Sequence, residues 1–180
     1  MSNVFDVASY ILHCNGEMTT LKLQKLVYYC QAWSLVWDEE PLFDEEIQAW
    51  ANGPVVPALF YEHQGHFKIK NLEKGKPLNL TEEQKLTVDR VLDHYGHNPA
   101  SWLVSLSHSE APWKKSWYDV PLSERGRATI TLDSMANYFS SLLQTDAQAW
   151  IDTAEILAQP TDEDIVPWHE IKKEFDIRTS

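Results

Sequence analysis

The sequence is short of cysteine, glycine and basic residues, and each shortage excludes a class of function. Its 180 residues include two cysteines, too few for a disulfide framework or for a zinc site, which needs four ligands at short paired spacings. The six glycines are scattered singly, so no glycine-rich phosphate loop is present. Fifteen Lys and Arg against 27 Asp and Glu leave a net charge of −12, which repels nucleic-acid phosphates and favours a basic protein partner.

The chain also lacks long apolar segments and a concentrated basic patch. No apolar run approaches the length that spans a bilayer, and residues 1–15 lack the basic start of a secretory signal. Four lysines between residues 68 and 76 lie in a predicted surface loop and are interrupted by Glu73. We therefore expect a cytoplasmic protein without membrane contact or a nucleic-acid partner, in which Cys14 and Cys30 are buried thiols.

Helical patterns dominate the remaining sequence, and an apolar content of 43% is enough for a folded core. Cap and stop signals predict helices over 4–14, from Thr19 or Thr20 through Trp37, from Pro54 to about residue 60, between Thr81 and Gly96, over 98–107, near 112–117, and over 132–143 and 146–158. Residues 63–79 indicate a loop with a small hairpin, whereas residues 47–50 allow either a strand or a helical turn. The predicted fold is mainly α: a compact multi-helix domain with at most one short β-hairpin, plus a C-terminal extension.

A change in composition at Pro160 divides the chain into a helical domain, residues 1–159, and a C-terminal extension, residues 160–180. In the extension an acidic stretch precedes Pro167, and Trp168, Ile171 and Phe175 then recur at helical spacing. Such a segment is too short to form a stable helix alone, and it would gain order by packing its apolar side against another surface.

Eight tryptophans are many for a chain of this length. Trp33, Trp50 and Trp113 fit core positions, because they fall within predicted helices or apolar segments of the domain. Trp168 lies beyond the last domain helix. Since tryptophan is over-represented among the residues that dominate protein interfaces, Trp168 is the best candidate for an anchor to a partner.

Polar residues that support catalysis elsewhere are present, but they are not arranged for it. Two His-x-x-His pairs lie near predicted helix ends and lack the glutamate of a metalloprotease helix: His63 with His66, and His94 with His97. His108 and Glu110 have serine neighbours but no glycine-flanked nucleophile, and we interpret His108 as a structural residue at a helix end. We therefore expect no catalytic residue, no metal, no cofactor and no enzymatic activity.

Ordered blocks of the sequence resemble the Panacea, or SocA-like, domain over roughly residues 18–117. The opening blocks are KLQKL at 22–26 with YYCQAW at 28–33, PLF at 41–43 with IQAW at 47–50, and GPVVP at 53–57. A later block, LSHSEAPW at 106–113, is similar to the family's second motif. We interpret the motif residues as positions that determine the fold rather than as reactive groups: Leu23, Gln24, Lys25, Leu26, Tyr29, Gln31, Trp33, Trp50, Gly53, Pro54, His108, Glu110, Pro112 and Trp113.

The resemblance implies an antitoxin of a bacterial or phage toxin–antitoxin system. Members of this family neutralise toxins of unrelated folds chiefly by direct binding, so the implied partner is a cognate protein toxin. A second role in the family is that of an adaptor that delivers its toxin to a protease. The alternative function here is a proteolytic adaptor, or a phage-encoded interaction module, that delivers a partner to a protease. The protease would then be a secondary partner, and a homodimer also stays open.

Residues 164–175 resemble the closing segment of Phd- or RelB-type antitoxins, in which an acidic stretch precedes a short toxin-binding helix. That resemblance implies toxin contact through Ile165, Val166, Trp168, Ile171 and Phe175. The alternative is that these side chains dock on the chain's own surface, and the sequence favours neither.

Overall fold

A computed structural model describes residues 2–145 and 165–170 of the chain. Within these residues the helices are α1 (Val4–Asn15), α2 (Thr20–Trp37), α3 (Pro57–His63), α4 (Glu82–Tyr95), α5 (Ala100–Ser109), α6 (Ala111–Tyr118) and α7 (Leu132–Gln144). Residues 168–170 are also helical. The strands are β1 (Met18–Thr19), β2 (Gln48–Trp50), β3 (Gly53–Val55) and β4 (Lys68–Ile69), and Pro77–Asn79 form a 3-10 turn. The predicted mainly helical fold is confirmed.

Helix α2 is the centre of the fold. It begins at the Thr19 cap, whose hydroxyl accepts a hydrogen bond from the Lys22 amide, and its residues from Thr20 to Ser34 are buried except for the half-buried Lys22. Helices α1, α4, α5 and α7 and strand β3 all pack against it. A helix covered on every side must bury its polar side chains too, so each of these needs a partner inside the protein.

Aromatic rings join α2 to α4 and α7. Tyr29 and Tyr95 stack with their ring centroids 4.2 Å apart, and Phe139 meets the rings of Tyr29 and Trp33 edge to face at 6.0 and 5.2 Å. The Trp33 indole N–H donates to the Tyr95 hydroxyl at 2.9 Å. These contacts bury large apolar surfaces while satisfying the polar ends of the rings, which stabilises the three-helix centre.

Helix α1 is held to the loop before α4 by Asp6. Its carboxylate accepts from the Asn3 amide in a capping box, from the Lys76 amide and from the Asn79 side chain. Gly75 lies so close to α1 that an added Cβ would stand 1.9 Å from the Phe5 carbonyl oxygen. Only glycine permits this approach of loop and helix.

The two short sheets decide an open question and correct two predictions. Residues 48–50 form strand β2, which pairs with β3 as a hairpin whose turn is Ala51–Asn52. The prediction of a hairpin within residues 63–79 is wrong, because β4 pairs instead with the distant β1. The predicted helix start at Pro54 is also wrong: Pro54 lies in β3, and α3 begins at Pro57. Pairing with Ala49 and the hydrogen bond from Lys25 of α2 keep Pro54 extended.

The other helices predicted within the described residues are present with small shifts of boundary. The Thr81–Gln84 capping box opens α4 as expected, and Cys30 is buried. Cys14 was expected to be buried but is exposed, because the last turn of α1 projects into solvent. The predicted helix over 146–158 lies outside the described residues. No helix among the described residues has the length and apolar character needed to cross a bilayer.

Candidate functional site

Gln24 of α2 holds the start of α3 through its side-chain amide. Its Oε1 accepts from the Val56 amide at 2.9 Å, and its Nε2 donates to the Val56 carbonyl at 3.3 Å. Both backbone groups of one extended residue are thereby satisfied by one amide. We call this arrangement, in which the oxygen and nitrogen of an amide side chain bind the backbone of an extended segment, a backbone clasp.

Gln31 forms a second backbone clasp two turns further along α2. Its Oε1 accepts from the amides of Leu42 and Phe43 at 2.8 and 3.2 Å, and its Nε2 donates to the Phe43 carbonyl at 2.8 Å. Gln24 and Gln31 are both buried. The segments that follow α2 have little regular structure of their own, so these clasps supply the hydrogen bonds that a sheet would otherwise provide.

Lys25 ties the hairpin to α2. Its ammonium nitrogen is fully buried and donates to the Pro54 carbonyl at 2.7 Å, and loss of solvent lowers the lysine pKa to about 7. The β2–β3 hairpin comes close to α5 at Gly53. This glycine has a φ of +97°, and an added Cβ would lie 2.6 Å from the Ser107 hydroxyl. Glycine is therefore required there both for conformation and for space.

Glu110 is buried at the junction of α5 and α6. The Tyr29 hydroxyl donates to its carboxyl oxygen at 3.1 Å, and burial raises its pKa to about 8 despite that hydrogen bond. The neighbouring His108 ring stacks on Trp113 at 4.0 Å. The serines on either side of His108 donate to the helix carbonyls of Val104 and Leu106, and this geometry is that of a helix end.

A separate apolar cluster forms a surface groove at the far side of the hairpin. Trp50, Val55 and Phe60 make its floor, and Val166 and Trp168 of the C-terminal segment pack onto it. The Trp168 ring lies 6.1 Å from Trp50, 5.2 Å from Phe60 and 6.0 Å from His63 between centroids. We call the surface formed by Trp50, Asn52, Phe60 and His63 the Trp168 groove.

Asn52, in the hairpin turn, forms a third backbone clasp. Its Oδ1 accepts from the Val166 amide at 2.9 Å, and its Nδ2 donates to the Val166 carbonyl. Val166 and Trp168 are half-buried, while Pro167, His169 and Glu170 are exposed. Residues 165–170 are therefore recognised through one backbone position and one indole ring.

His63 forms one wall of the groove and connects it to the interior. Its ring is buried, and its Nε2 lies 3.0 Å from the Gln24 amide nitrogen, which donates to it. Burial lowers the His63 pKa to about 4, and a smaller contribution from His66 acts in the same direction. The imidazole is therefore neutral near pH 7 and presents an uncharged face to Trp168.

Beside the docked segment the groove opens into a cavity of about 600 Å³. Its wall includes Leu21, Phe60, Phe67 and Trp168, and no Lys, Arg, Asp or Glu is among the described residues that line it. Phe67, at the rim, is 73% exposed. The cavity is large enough for several apolar side chains of a partner and has no fixed charge that would reject them.

The predicted site residues fall into two places. The family-motif residues are all buried around α2, the hairpin and the α5–α6 junction, except for the half-buried His108. Of the predicted partner-binding residues, Ile165, Val166 and Trp168 line the cavity or the groove, whereas Ile171 and Phe175 lie outside the described residues. Their role in toxin binding stays a prediction, and so does the boundary between residues 1–159 and 160–180.

Sequence reasoning missed Asn52, Phe60 and Phe67. Trp50 was expected to fill the core, and it is buried, but its ring belongs to the groove rather than to the main core. The only sequence signal for Asn52 is its position before Gly53, which indicates a turn and not a binding role. As for metals, the described residues contain no group of three or more His, Cys, Asp or Glu side chains placed to hold an ion.

No curated protein and no solved structure matches the chain significantly. A family model does match: that of the antitoxin SocA-like, Panacea domain, over residues 23–114, just over half of the chain. The matched range begins at Leu23 in α2 and ends one residue after Trp113. It contains the clasps formed by Gln24 and Gln31, and also Asn52 and the floor of the Trp168 groove. The chain belongs to the SocA-like antitoxin family with a Panacea domain.

Proposed function

We propose that the chain is the antitoxin of a toxin–antitoxin pair and neutralises its toxin by direct binding. The observation that carries the proposal is the match of residues 23–114 to the SocA-like antitoxin domain. The C-terminal segment that rests on this domain carries an indole ring and an aliphatic side chain that are both only half-buried. The predicted anchors to the toxin are Ile165, Val166 and Trp168, together with Ile171 and Phe175. An indole with adjacent aliphatic side chains is the kind of group that dominates protein interfaces.

The polar side chains of the family motif support a binding protein rather than an enzyme. The side chains of Gln24, Gln31 and Lys25 form hydrogen bonds with backbone groups of their own chain. Glu110 accepts a hydrogen bond from Tyr29. We therefore propose that no side chain of the motif reacts with a substrate. A His108→Ala variant that folds is expected to neutralise the toxin fully, and loss of neutralisation by such a variant would instead favour a hydrolase.

The net charge of −12 supports a toxin with a basic surface. We propose that complementary charge accelerates association in the cytoplasm, while apolar contacts with the C-terminal segment set the lifetime of the complex. Association should therefore slow as salt increases. Dissociation should depend much less on salt.

A co-expression experiment tests the proposal. The product of the adjacent gene, expressed alone, is expected to arrest growth, and co-expression of this chain is expected to restore growth and to yield a complex on co-purification. A harmless neighbour, or failure of this chain to rescue growth, would contradict the proposal.

The same experiment separates direct neutralisation from delivery to a protease. Direct binding predicts that the toxin persists in rescued cells and is inactive in a purified mixture with this chain. If the purified toxin keeps its activity in the mixture while its cellular lifetime falls, the chain is a proteolytic adaptor.

A further inference from the structure

We infer that the Trp168 groove is a second binding site for the toxin-binding segment, so that the groove and the toxin compete for Val166 and Trp168. The inference rests on the proposed function, because it takes the same segment to be the one that contacts the toxin. The ligand of the groove is a polypeptide with an apolar residue, then proline, then a tryptophan that begins a helical turn. In the free chain, residues 165–170 supply that ligand.

The contacts show why one segment cannot serve both sites at once. The indole of Trp168 lies against Phe60 and His63, and the backbone of Val166 is occupied by Asn52 on both its donor and its acceptor side. A toxin that buries the Trp168 ring must take it from the groove. Docking on the body and contact with the toxin are therefore alternative states of one segment.

The docked state is held by few contacts. Among the described residues, one side chain binds the backbone of the segment, and Val166 and Trp168 are the members of the segment that pack on the apolar cluster. Three of the six described residues of the segment are exposed. In the docked state Asn52 is buried and Val166 is half-buried. Departure of the segment would uncover both, and water could then replace their hydrogen bonds. The segment can therefore leave its groove without unfolding the body.

Competition fixes the sign of each mutational effect. If the docked and undocked forms are in the ratio K, docking multiplies the apparent Kd for the toxin by 1 + K. Covalent attachment gives the segment a local concentration on the order of millimolar at its own groove, which favours docking before the toxin arrives. Weakening the groove should thus tighten toxin binding, whereas weakening the segment itself should loosen it.

The first test compares toxin affinity among variants of the full chain. Asn52→Asp keeps the size of the side chain but replaces the donor to the Val166 carbonyl by an acceptor, and it should lower the Kd for the toxin roughly 3- to 30-fold. Trp168→Ala should raise the Kd more than 10-fold. Asn137→Asp, the same change at an exposed site on α7, controls for the added charge and should leave the Kd unchanged.

Either of two results would overturn the inference. If Asn52→Asp weakens toxin binding, the docked segment is part of the toxin site rather than its competitor. If Asn52→Asp binds the toxin no differently from Asn137→Asp, docking does not compete with the toxin.

The second test needs no toxin and is independent of the proposed function. A labelled peptide of residues 165–170 is titrated into full-length Trp168→Ala, whose own segment no longer fills the pocket, and into the wild-type chain. We expect binding to Trp168→Ala at least 5-fold tighter than to wild type, and no binding of a peptide in which alanine replaces the tryptophan. Equal affinity for the two chains, or none for either, would contradict the groove as a site for this segment.

The two tests fail separately. If the peptide binds as expected but the chain rescues no cell from a toxin, the groove is a site for the segment and the antitoxin role is wrong. A chain that neutralises its toxin but ignores the peptide keeps the antitoxin role and removes the competition.

Discussion

The interior and the surface of the protein use the same chemical device to different ends. Gln24 and Gln31 clasp buried backbone that follows α2 within 32 residues, whereas Asn52, itself buried, clasps the half-buried Val166 across 114 residues. If an interior clasp breaks, its polar groups stay buried and unpaired. If the clasp between Asn52 and Val166 breaks, water can hydrate both residues. Access to water, and not the hydrogen bonds themselves, decides whether a clasp fixes the fold or holds a segment reversibly.

The interior side of this contrast is tested most strongly by Gln31→Leu. The substitution leaves the Leu42 and Phe43 amides and the Phe43 carbonyl without partners in the core, and it should lower the free energy of unfolding by roughly 3–6 kcal/mol. Chemical denaturation measures this loss. Gln144→Leu, an exposed change at the end of α7, should cost less than about 0.5 kcal/mol. A similar cost for both would mean that the interior clasp does not hold the fold.

The next largest effect concerns the buried carboxyl group of Glu110, which pairs with Tyr29. Because the folded pKa of Glu110 is raised to about 8 from the ordinary value of 4.5, the folded chain holds a proton that the unfolded chain has lost between these pH values. The contribution of Glu110 to stability should therefore fall as pH rises from about 4.5 to 8. The lowered pKa values of His63 and Lys25 act in the opposite direction, so the effect of Glu110 is measured as a difference from a variant that lacks the carboxyl group. Glu110→Gln removes the titration while keeping an oxygen for the Tyr29 hydroxyl, so its stability advantage should grow by about 2 kcal/mol or more across this range.

Denaturation of both chains at pH 5 and pH 8 measures that difference. The exposed Glu124→Gln variant should follow the pH profile of the wild type, since its carboxyl group is already solvated. A constant difference between Glu110→Gln and the wild type would show that Glu110 does not titrate abnormally.

The surface side of the contrast predicts the smallest effect on stability. Trp168→Ala should change the free energy of global unfolding by about 1 kcal/mol or less, because the segment contributes only its own docking energy to the body. Tyr118→Ala, which removes an exposed aromatic ring, is the control in a thermal melt. A loss of several kcal/mol from Trp168→Ala alone would place the segment within the cooperative core.

Local signals made the helices predictable, whereas long-range contacts made the site hard to see. The Asn3, Thr19 and Thr81 caps act within three residues, so their helices could be placed from the sequence. The sequence placed Pro54 at a helix start because proline is locally favourable there. The structure has it in a strand instead, since its carbonyl is bound by Lys25, 29 residues earlier in the chain. Asn52 could not be recognised, because its partner lies 114 residues away and is chosen by backbone position rather than by residue type.

The family resemblance located the motif residues but did not explain why several of them are polar. Its polar members Gln24, Gln31 and Lys25 would be unusual on an apolar helix face, and only the structure shows which backbone groups they satisfy. The C-terminal segment gave the opposite difficulty. Its sequence allowed contact with a toxin or with the chain itself, and the structure shows Val166 and Trp168 on the chain's own groove.

Native-state hydrogen exchange measures the difference between the fixed and the reversible clasp most directly. The Val56 amide, bound by Gln24, should exchange only when the whole chain unfolds, while the Val166 amide, bound by Asn52, should exchange through local opening with protection lower by at least about 100-fold. Denaturant at sub-unfolding concentrations should accelerate exchange at Val56 and leave Val166 nearly unchanged. Equal protection and equal denaturant dependence at the two amides would contradict a segment that leaves its groove while the fold stays intact.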